Sequence, residues 1–370
     1  MEKKLWYKIE NEEEISSPCL LVYPSRIEHN IQTMISMVSD VKKLRPHIKT
    51  HKMAEVIDLQ LKYGIDKFKC ATIAEAELLG QRKASDVLLA MQPVGPNVGR
   101  FFKLFSKYPH TQFSTIIDNK DSLSDIEKMA KTKSKSVRLF LDLNVGMDRT
   151  GIQPGEKAAE LYKNIADSKF LEAAGLHVYD GHIRNPAIED RERECDEAFK
   201  SVLELKHQLE AEGYTVPTIV AGGSPSFPVH ARREEVDTSP GTTLLWDARY
   251  GSSFKDMDFL PAAVLITRVI SKPATDIFCL DLGHKAIAPE MDFPRVHIFG
   301  LEDCEQIGQS EEHLVLRNTS RSPVKIGQVF YAIPMHICPT VAKYPEVLTI
   351  EEGKMTGKWK VAARDHRLII

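Results

Sequence analysis

The chain has no apolar run long enough to cross a bilayer. Its first residues, Met1-Glu2-Lys3-Lys4-Leu5-Trp6, carry no apolar h-region or small-residue cleavage site. Neither a membrane span nor secretion is expected. An excess of one charge is also missing: 49 Lys and Arg stand against 52 Asp and Glu, for a net charge of −3. Nucleic acid and anionic membranes are therefore not expected as main partners. Cysteine is sparse, and the six (Cys19, Cys70, Cys195, Cys279, Cys304, Cys338) follow no framework spacing. That fits free thiols in a reducing, cytoplasmic compartment. No Gly-x-Gly-x-x-Gly opens the first strand–helix unit, which weakens a dinucleotide-binding doubly wound sheet. There is no internal repeat and no low-complexity segment.

What is present suits a soluble globular protein. With 370 residues, 42% of them hydrophobic, the chain exceeds one ordinary core and matches a barrel-sized domain plus a smaller one. From residue 18 to about 250, short apolar runs alternate with helical stretches. The runs are Cys19–Tyr23, Leu44–Lys49, Lys67–Ala71, Val87–Ala90, Gln112–Ile117, Val137–Asp142, Ala173–Val178 and Thr218–Gly222. Between them, helical periodicity covers Arg26–Val38, Lys52–Tyr63, Ile73–Gln81, Leu123–Lys131, Glu156–Asp167 and Glu189–Glu212. This α/β alternation predicts a parallel sheet, and the strand count suits a closed (β/α)8 TIM-like barrel of ~250 residues. An open sheet is the alternative. After Gly251 the helical periodicity fades. Val264–Ser271, Ile277–Leu282, Arg295–Phe299, His313–Arg317, Gln328–Ile333 and Trp359–Ala363 read as strands of a second, mostly β domain. The aromatic opening Leu5–Ile9 could add a strand to it. The expected domains are a barrel over 18–251, and a β domain over 252–370 together with 1–17.

Five clusters carry chemistry. Arg45-Pro46-His47-Ile48-Lys49-Thr50-His51-Lys52 ends the second strand candidate, where a barrel strand delivers side chains to the active-site mouth. His47 and Lys49 share a face. A lysine among cations and apolar walls has a lowered pKa and serves as a Schiff-base nucleophile. A basic turn capping a helix is the commoner explanation of such residues alone. Met335-His336-Ile337-Cys338-Pro339 follows a strand candidate. If it is extended, His336 and Cys338 point the same way and suit a borderline-soft divalent ion with open positions. A strand-end histidine beside a buried free cysteine is the commoner explanation of such a pair alone. Gly146-Met147-Asp148-Arg149-Thr150-Gly151 brings Arg149 to the expected mouth, or forms a surface turn. Ala221-Gly222-Gly223-Ser224 and Ser239-Pro240-Gly241-Thr242-Thr243 offer small and hydroxyl residues whose amides suit a phosphate. In Gly175-Leu176-His177-Val178-Tyr179-Asp180-Gly181-His182, His177 and Tyr179 share a face, and His182 stands where a general acid or base could act.

Together these stretches resemble the D-threonine aldolase and eukaryotic-type D-serine dehydratase group, within the alanine racemase-like fold of pyridoxal-phosphate enzymes. The matches are Ser17-Pro18-Cys19-Leu20-Leu21-Val22, Arg45–Lys52, Met147–Gly151, Pro240-Gly241-Thr242, Asp281-Leu282-Gly283-His284-Lys285, Glu311-Glu312-His313 and His336–Pro339. The resemblance implies that Lys49, rather than Lys52, carries pyridoxal 5′-phosphate. Arg149 would contact the ring oxygen, His177 and Tyr179 would line the pocket, and Gly222, Gly223, Ser224, Gly241 and Thr242 would hold the phosphate. His336 and Cys338 would bind zinc or manganese beside the cofactor, in a homodimer with its active site between barrel and β domain. Expected activity is that of a metal-assisted lyase on D-β-hydroxy-α-amino acids. Aldolase cleavage is preferred and D-serine dehydration is the alternative, with His182 a candidate base. Racemases of this fold have an arginine two residues before the phosphate-loop glycine, where this chain has Ser239. That departure argues against racemisation. A pyridoxal-phosphate carrier protein would lack the β domain and its metal motif.

Overall fold

The computed structural model describes residues 5–319 and 323–370; residues 1–4, part of the expected β domain, lie outside them. Its strands are β1 (Cys19–Val22), β2 (Lys67–Cys70), β3 (Asp86–Leu89), β4 (Gln112–Ile117), β5 (Val137–Leu143), β6 (Leu171–Val178), β7 (Ile219–Ala221) and β8 (Val236–Thr238). They continue as β9 (Ala263–Ser271), β10 (Ile277–Leu280), β11 (Val296–Ile298), β12 (Cys304–Gln309), β13 (Leu314–Asn318), β14 (Val329–Pro334), β15 (Glu346–Glu351) and β16 (Lys354–Lys360). Two compact units emerge. The first takes residues up to Gln32, Thr50–Val56 and Thr242–Arg364; the second takes Thr33–Lys49, Ile57–Gly241 and Asp365–Ile370.

The second unit is the barrel. Strands β2 to β8 pair in chain order as a parallel sheet of seven. Residues 44–48 close it, because Leu44 bridges Thr238 on one side and His47 bridges Lys69 on the other. His47 N donates to Pro240 O at 2.8 Å, and Lys69 N donates to Pro46 O at 2.9 Å. Pro46 lacks an amide hydrogen, so this stave joins its neighbours through scattered bonds rather than a regular ladder. The expected (β/α)8 closure is therefore present, with one exchange of strands. The run at Cys19–Tyr23, expected in the barrel, forms β1 of the other unit. The true last stave is β8, a three-residue strand that the sequence reading passed over.

Alternation along each stave builds layers inside the barrel. At the lower level Arg45 bonds Asp86 at 2.6 Å, Lys67 bonds Asp237 at 2.8 Å and Arg138 reaches Asp86 at 3.2 Å. Burial alone would raise the Asp86 pKa, but Arg45, Arg138 and Lys67 hold it below the usual aspartate range. Above this lies an apolar layer of Leu88, Ile116, Phe140, Ala174 and Val220.

The first unit is a mixed sheet in the order β12-β13-β10-β9-β1-β15-β16, with β14 pairing β9 and β11. β1 runs antiparallel to β9 and parallel to β15. Its Leu20-Leu21-Val22 are wholly buried, which is the signature of a central strand covered on both faces. Leu5–Ile9 forms turns instead of the expected strand. It still joins this core, Ile9 packing with Tyr331 and Ile350 while Trp6 and Tyr7 flank them. The sequence reading also passed over β12 and β15, and the expected strand at Trp359–Ala363 ends at Lys360, a 3-10 turn following at Ala362–Arg364. No helix among the described residues is long and apolar enough to cross a membrane.

Candidate active site

In the barrel unit, three cations converge on one aromatic ring. Arg149 Cζ lies 4.7 Å from the Tyr179 ring centroid, Lys49 Nζ 5.7 Å and Lys69 Nζ 5.8 Å. Lys49 ends the closing stave, Arg149 sits in the exposed turn after β5, and Tyr179 follows β6. The ring is held from beneath, since a Cβ at Gly181 would overlap it and one at Gly223 would come within 3.2 Å of Cε2. His177, inward-facing on β6 and buried, donates from Nδ1 to Asp142 Oδ1 at 2.6 Å, and among the described residues its Nε2 has no hydrogen-bond partner. Burial lowers the His177 pKa, with Lys69 and Arg149 adding to the effect against the pull of Asp142. The imidazole is thus neutral, with Nε2 as a free acceptor.

The two glycine-rich turns follow β7 and β8, the places a barrel uses for phosphate. Gly222 has φ +81°, and a Cβ there would come within 2.9 Å of the His230 ring. Ser224 Oγ accepts from Gly241 N at 3.1 Å and ties the turns together. Ser239 Oγ, at the position of the racemase arginine, is buried with no hydrogen-bond partner among the described residues. Under the first turn, Asp180 accepts from Ser226 Oγ and bonds His230 Nε2, both at 2.7 Å, and Ser226 Oγ in turn accepts from Gly223 N at 3.2 Å. Asp180, Cys195 and His230 have the composition of a metal-ligand set, their ligand atoms lying within 4.8 Å of one another. Their chemistry is that of a hydrogen-bonded clamp: the carboxylate is already engaged, and burial pushes the Cys195 thiol upward so that it stays protonated.

In the first unit, His336 and Cys338 do not share an extended strand as expected. His336 is the extended N-cap of a short helix, Ile337–Val341, and Cys338 lies in its first turn. Pro339 is tolerated there because first-turn amides lack intrahelical acceptors. The two side chains nonetheless meet. Burial works against protonation of His336, yet Cys338, Glu290 and Asp247 raise its pKa. Burial likewise opposes the Cys338 thiolate, while His336, Thr242 and Thr50 lower its pKa. Thr50 Oγ1 lies 3.0 Å and Thr242 Oγ1 3.5 Å from Cys338 Sγ. Glu290 Oε1 accepts from His336 Nδ1 at 2.5 Å, and Asp247 Oδ2 accepts from Ile337 N at 3.2 Å. A carboxylate on the imidazole and hydroxyls on the sulfur are the kind of outer support that metal ligands use.

Among the residues read from sequence, the structure brings Lys49, Arg149, Tyr179 and Gly223 together, with His177 one layer below, facing Asp142. Thr242, expected at the phosphate, has its hydroxyl on Cys338. His182 is exposed, its ring over Gly146, where a Cβ would meet Nε2 at 2.9 Å. Lys69, Asp142, Thr50 and Glu290 were missed. Only Asp142 had an available signal, standing two positions along the strand from the apolar-layer Phe140.

Both groups implied by the resemblance fit these residues. A flat, anionic aldehyde suits an amine at the rim, an aromatic wall, unpartnered His177 Nε2 and Ser239 Oγ, and two tied phosphate-type turns. A borderline-soft divalent ion suits an imidazole and a thiol of lowered pKa.

A lysine-bearing (β/α)8 barrel joined to a mostly β unit defines the alanine racemase-like class of fold. The chain belongs to the family of the alanine racemase N-terminal domain, whose model matches residues 22–246, and residues 262–350 match the putative serine dehydratase domain. A D-threonine aldolase of an Arthrobacter species is 25% identical over 95% of this chain and 93% of that protein. A 3-hydroxy-D-aspartate aldolase of Paracoccus denitrificans is 26% identical over 96% and 93%. A D-serine dehydratase of Dictyostelium discoideum is 24% identical over 90% and 92%. The crystal structure of D-threonine aldolase from Filomicrobium marinum superposes with TM-score 0.87 at 23% identity, covering 95% of this chain and 96% of that one. A D-threo-3-hydroxyaspartate dehydratase, solved as a cysteine-to-alanine variant in the metal-free form, reaches TM-score 0.81 at 17% identity, covering 94% and 98%. Its histidine-to-alanine variant, altered two positions earlier, is also solved.

Proposed function

We propose that this chain is a pyridoxal-phosphate lyase acting on D-β-hydroxy-α-amino acids, by retro-aldol cleavage to glycine and an aldehyde. The observation that carries the reading is the Lys49 amine beside Arg149 and the Tyr179 ring at the barrel rim, in a chain similar along its length to D-β-hydroxy amino acid aldolases. When bound, the cofactor supplies an electron sink for the substrate's α-carbon. Lys49 would hold it covalently and Arg149 would offset its ring oxygen. Tyr179 would pack against it, and the turns at Gly222, Gly223, Ser224 and Gly241, continued by Thr242, would carry its phosphate. A zinc or manganese ion held by His336 and Cys338 would supply Lewis acidity to the β-hydroxyl. His182, open to solvent, would take the hydroxyl proton in cleavage; Lys49 would take the α-proton in dehydration.

The second reading, D-serine dehydration to a keto acid and ammonia, is favoured by the thiolate ligand. The spacing of His336 and Cys338 equals that of the altered pair in the dehydratase structures. A homodimer and a cytoplasmic setting belong to the same proposal; the free cysteines support the second. The test is to supply D-threonine and D-serine separately to the cofactor- and metal-loaded protein. Glycine from D-threonine supports cleavage, keto acid from D-serine replaces it with dehydration, and neither product from either substrate refutes the lyase reading.

A further inference from the structure

Strand β2 points Lys67 and Lys69 into the barrel. Lys67 is paired with Asp237 at the lower level. Lys69 is one layer higher, beside His47 in the closing stave and opposite apolar Leu88 on β3, and is 2% exposed. The charged groups it feels are Lys49 and Arg45 from the closing stave, Asp142 from β5 and Asp180 after β6; His177 and Tyr179 also face it. Both carboxylates are engaged elsewhere, Asp142 with His177 and Gln92, Asp180 with Ser226 and His230. Among the described residues no ion pair joins Lys69 to either. Burial, then the neighbouring Lys49, lowers its pKa to about 7.

A fully buried lysine without its own carboxylate is rare because an unpaired internal ammonium is strongly disfavoured. The Tyr179 ring face is a weak substitute. An anion arriving in the barrel mouth would supply the missing partner. We propose that Lys69 is a second cation for the anionic cofactor, becoming its counter-charge from the barrel wall as the cofactor binds. The proposal rests on the pyridoxal-phosphate reading above. Because binding would stabilise the protonated amine, affinity should weaken as pH rises through the range where free Lys69 loses its proton.

The test strips the full-length protein of cofactor and titrates it with pyridoxal 5′-phosphate and with pyridoxal, beside Lys69→Met and Lys69→Arg variants. In the stripped state Lys69→Met should melt no lower than the unaltered protein, because an unpaired buried charge is removed. Its cofactor affinity should fall on the order of 30-fold or more, with the weakening between neutral and alkaline pH reduced, while Lys69→Arg stays closer to the unaltered protein. A loss for both ligands assigns the contact to the ring oxygen, and a loss for the phosphorylated one alone assigns it to the phosphate; either supports the proposal. Lys69→Gln provides a second neutral variant should methionine disturb folding. Neutral variants that bind as tightly as the unaltered protein, whatever their melting temperature, overturn it. Failure of the unaltered protein to take up any cofactor overturns the pyridoxal-phosphate reading itself, and this proposal with it.

Discussion

Replacing Glu290 with glutamine removes the charge behind His336 while keeping an oxygen in place to accept from Nδ1. Glu290 Oε1 accepts from His336 Nδ1, a carboxylate–imidazole bond of the charge-assisted kind. Hydrogen bonds to charged groups contribute about 1.5–3 kcal/mol when sheltered. Here the side chains are 41% and 45% exposed, so solvent screening brings the contribution down to that of an exposed pair, about 1 kcal/mol. At 1.4 kcal/mol per decade, a Glu290→Gln variant should bind zinc or manganese about fivefold more weakly. Competition against a chromophoric chelator measures this without turnover, and His336→Ala, which loses a ligand outright, sets the lower bound. The reasoning is refuted if Glu290→Gln holds the metal as tightly as the unaltered chain while His336→Ala loses it. Glu290 would then orient nothing.

Gly181→Ala should push the Tyr179 ring from its seat, because the added Cβ overlaps it. Overpacking of this kind costs about 1–3 kcal/mol, so the melting temperature and cofactor affinity should fall together; an unchanged affinity would mean the ring is not a cofactor wall. Asp86→Asn leaves the buried Arg45 guanidinium with Asp237, 3.4 Å away, as its carboxylate partner and should cost about 1.5–3 kcal/mol, read from denaturant unfolding. Since the folded-state pKa of Asp86 is depressed, its contribution is fully present above the unfolded aspartate value of about 4 and is lost as pH falls below it. The variant should therefore lose less stability than the unaltered protein on acidification, and parallel acid curves would contradict this.

The barrel was legible because its staves and helices differ in period, and Ile73–Gln81 matches its helix to the residue. The exchange of β1 for β8 was not. Leu20-Leu21-Val22 looks like any buried parallel strand, and which sheet receives it depends on partners in β9 and β15, more than 200 residues away in the chain. β8 is hidden by Asp237, an acid that belongs inside only because Arg45 and Lys67 meet it there. The same blindness explains Lys69, since a lysine in a four-residue strand reads as a surface residue until both flanking staves are known. Glu290 could not have been found from His336, 46 residues away, because no periodicity links a loop carboxylate to a strand-end histidine. By contrast, Lys49, Arg149, Tyr179 and the two glycine turns were visible, each standing where a barrel strand meets its loop.

The most direct measurement fixes the cofactor to whichever amine holds it. Borohydride reduction of the pyridoxal-phosphate-loaded protein, followed by peptide mass spectrometry, should find the pyridoxyl adduct on Lys49. An adduct on Lys52 or Lys69 instead, or no adduct on any lysine, would contradict the account.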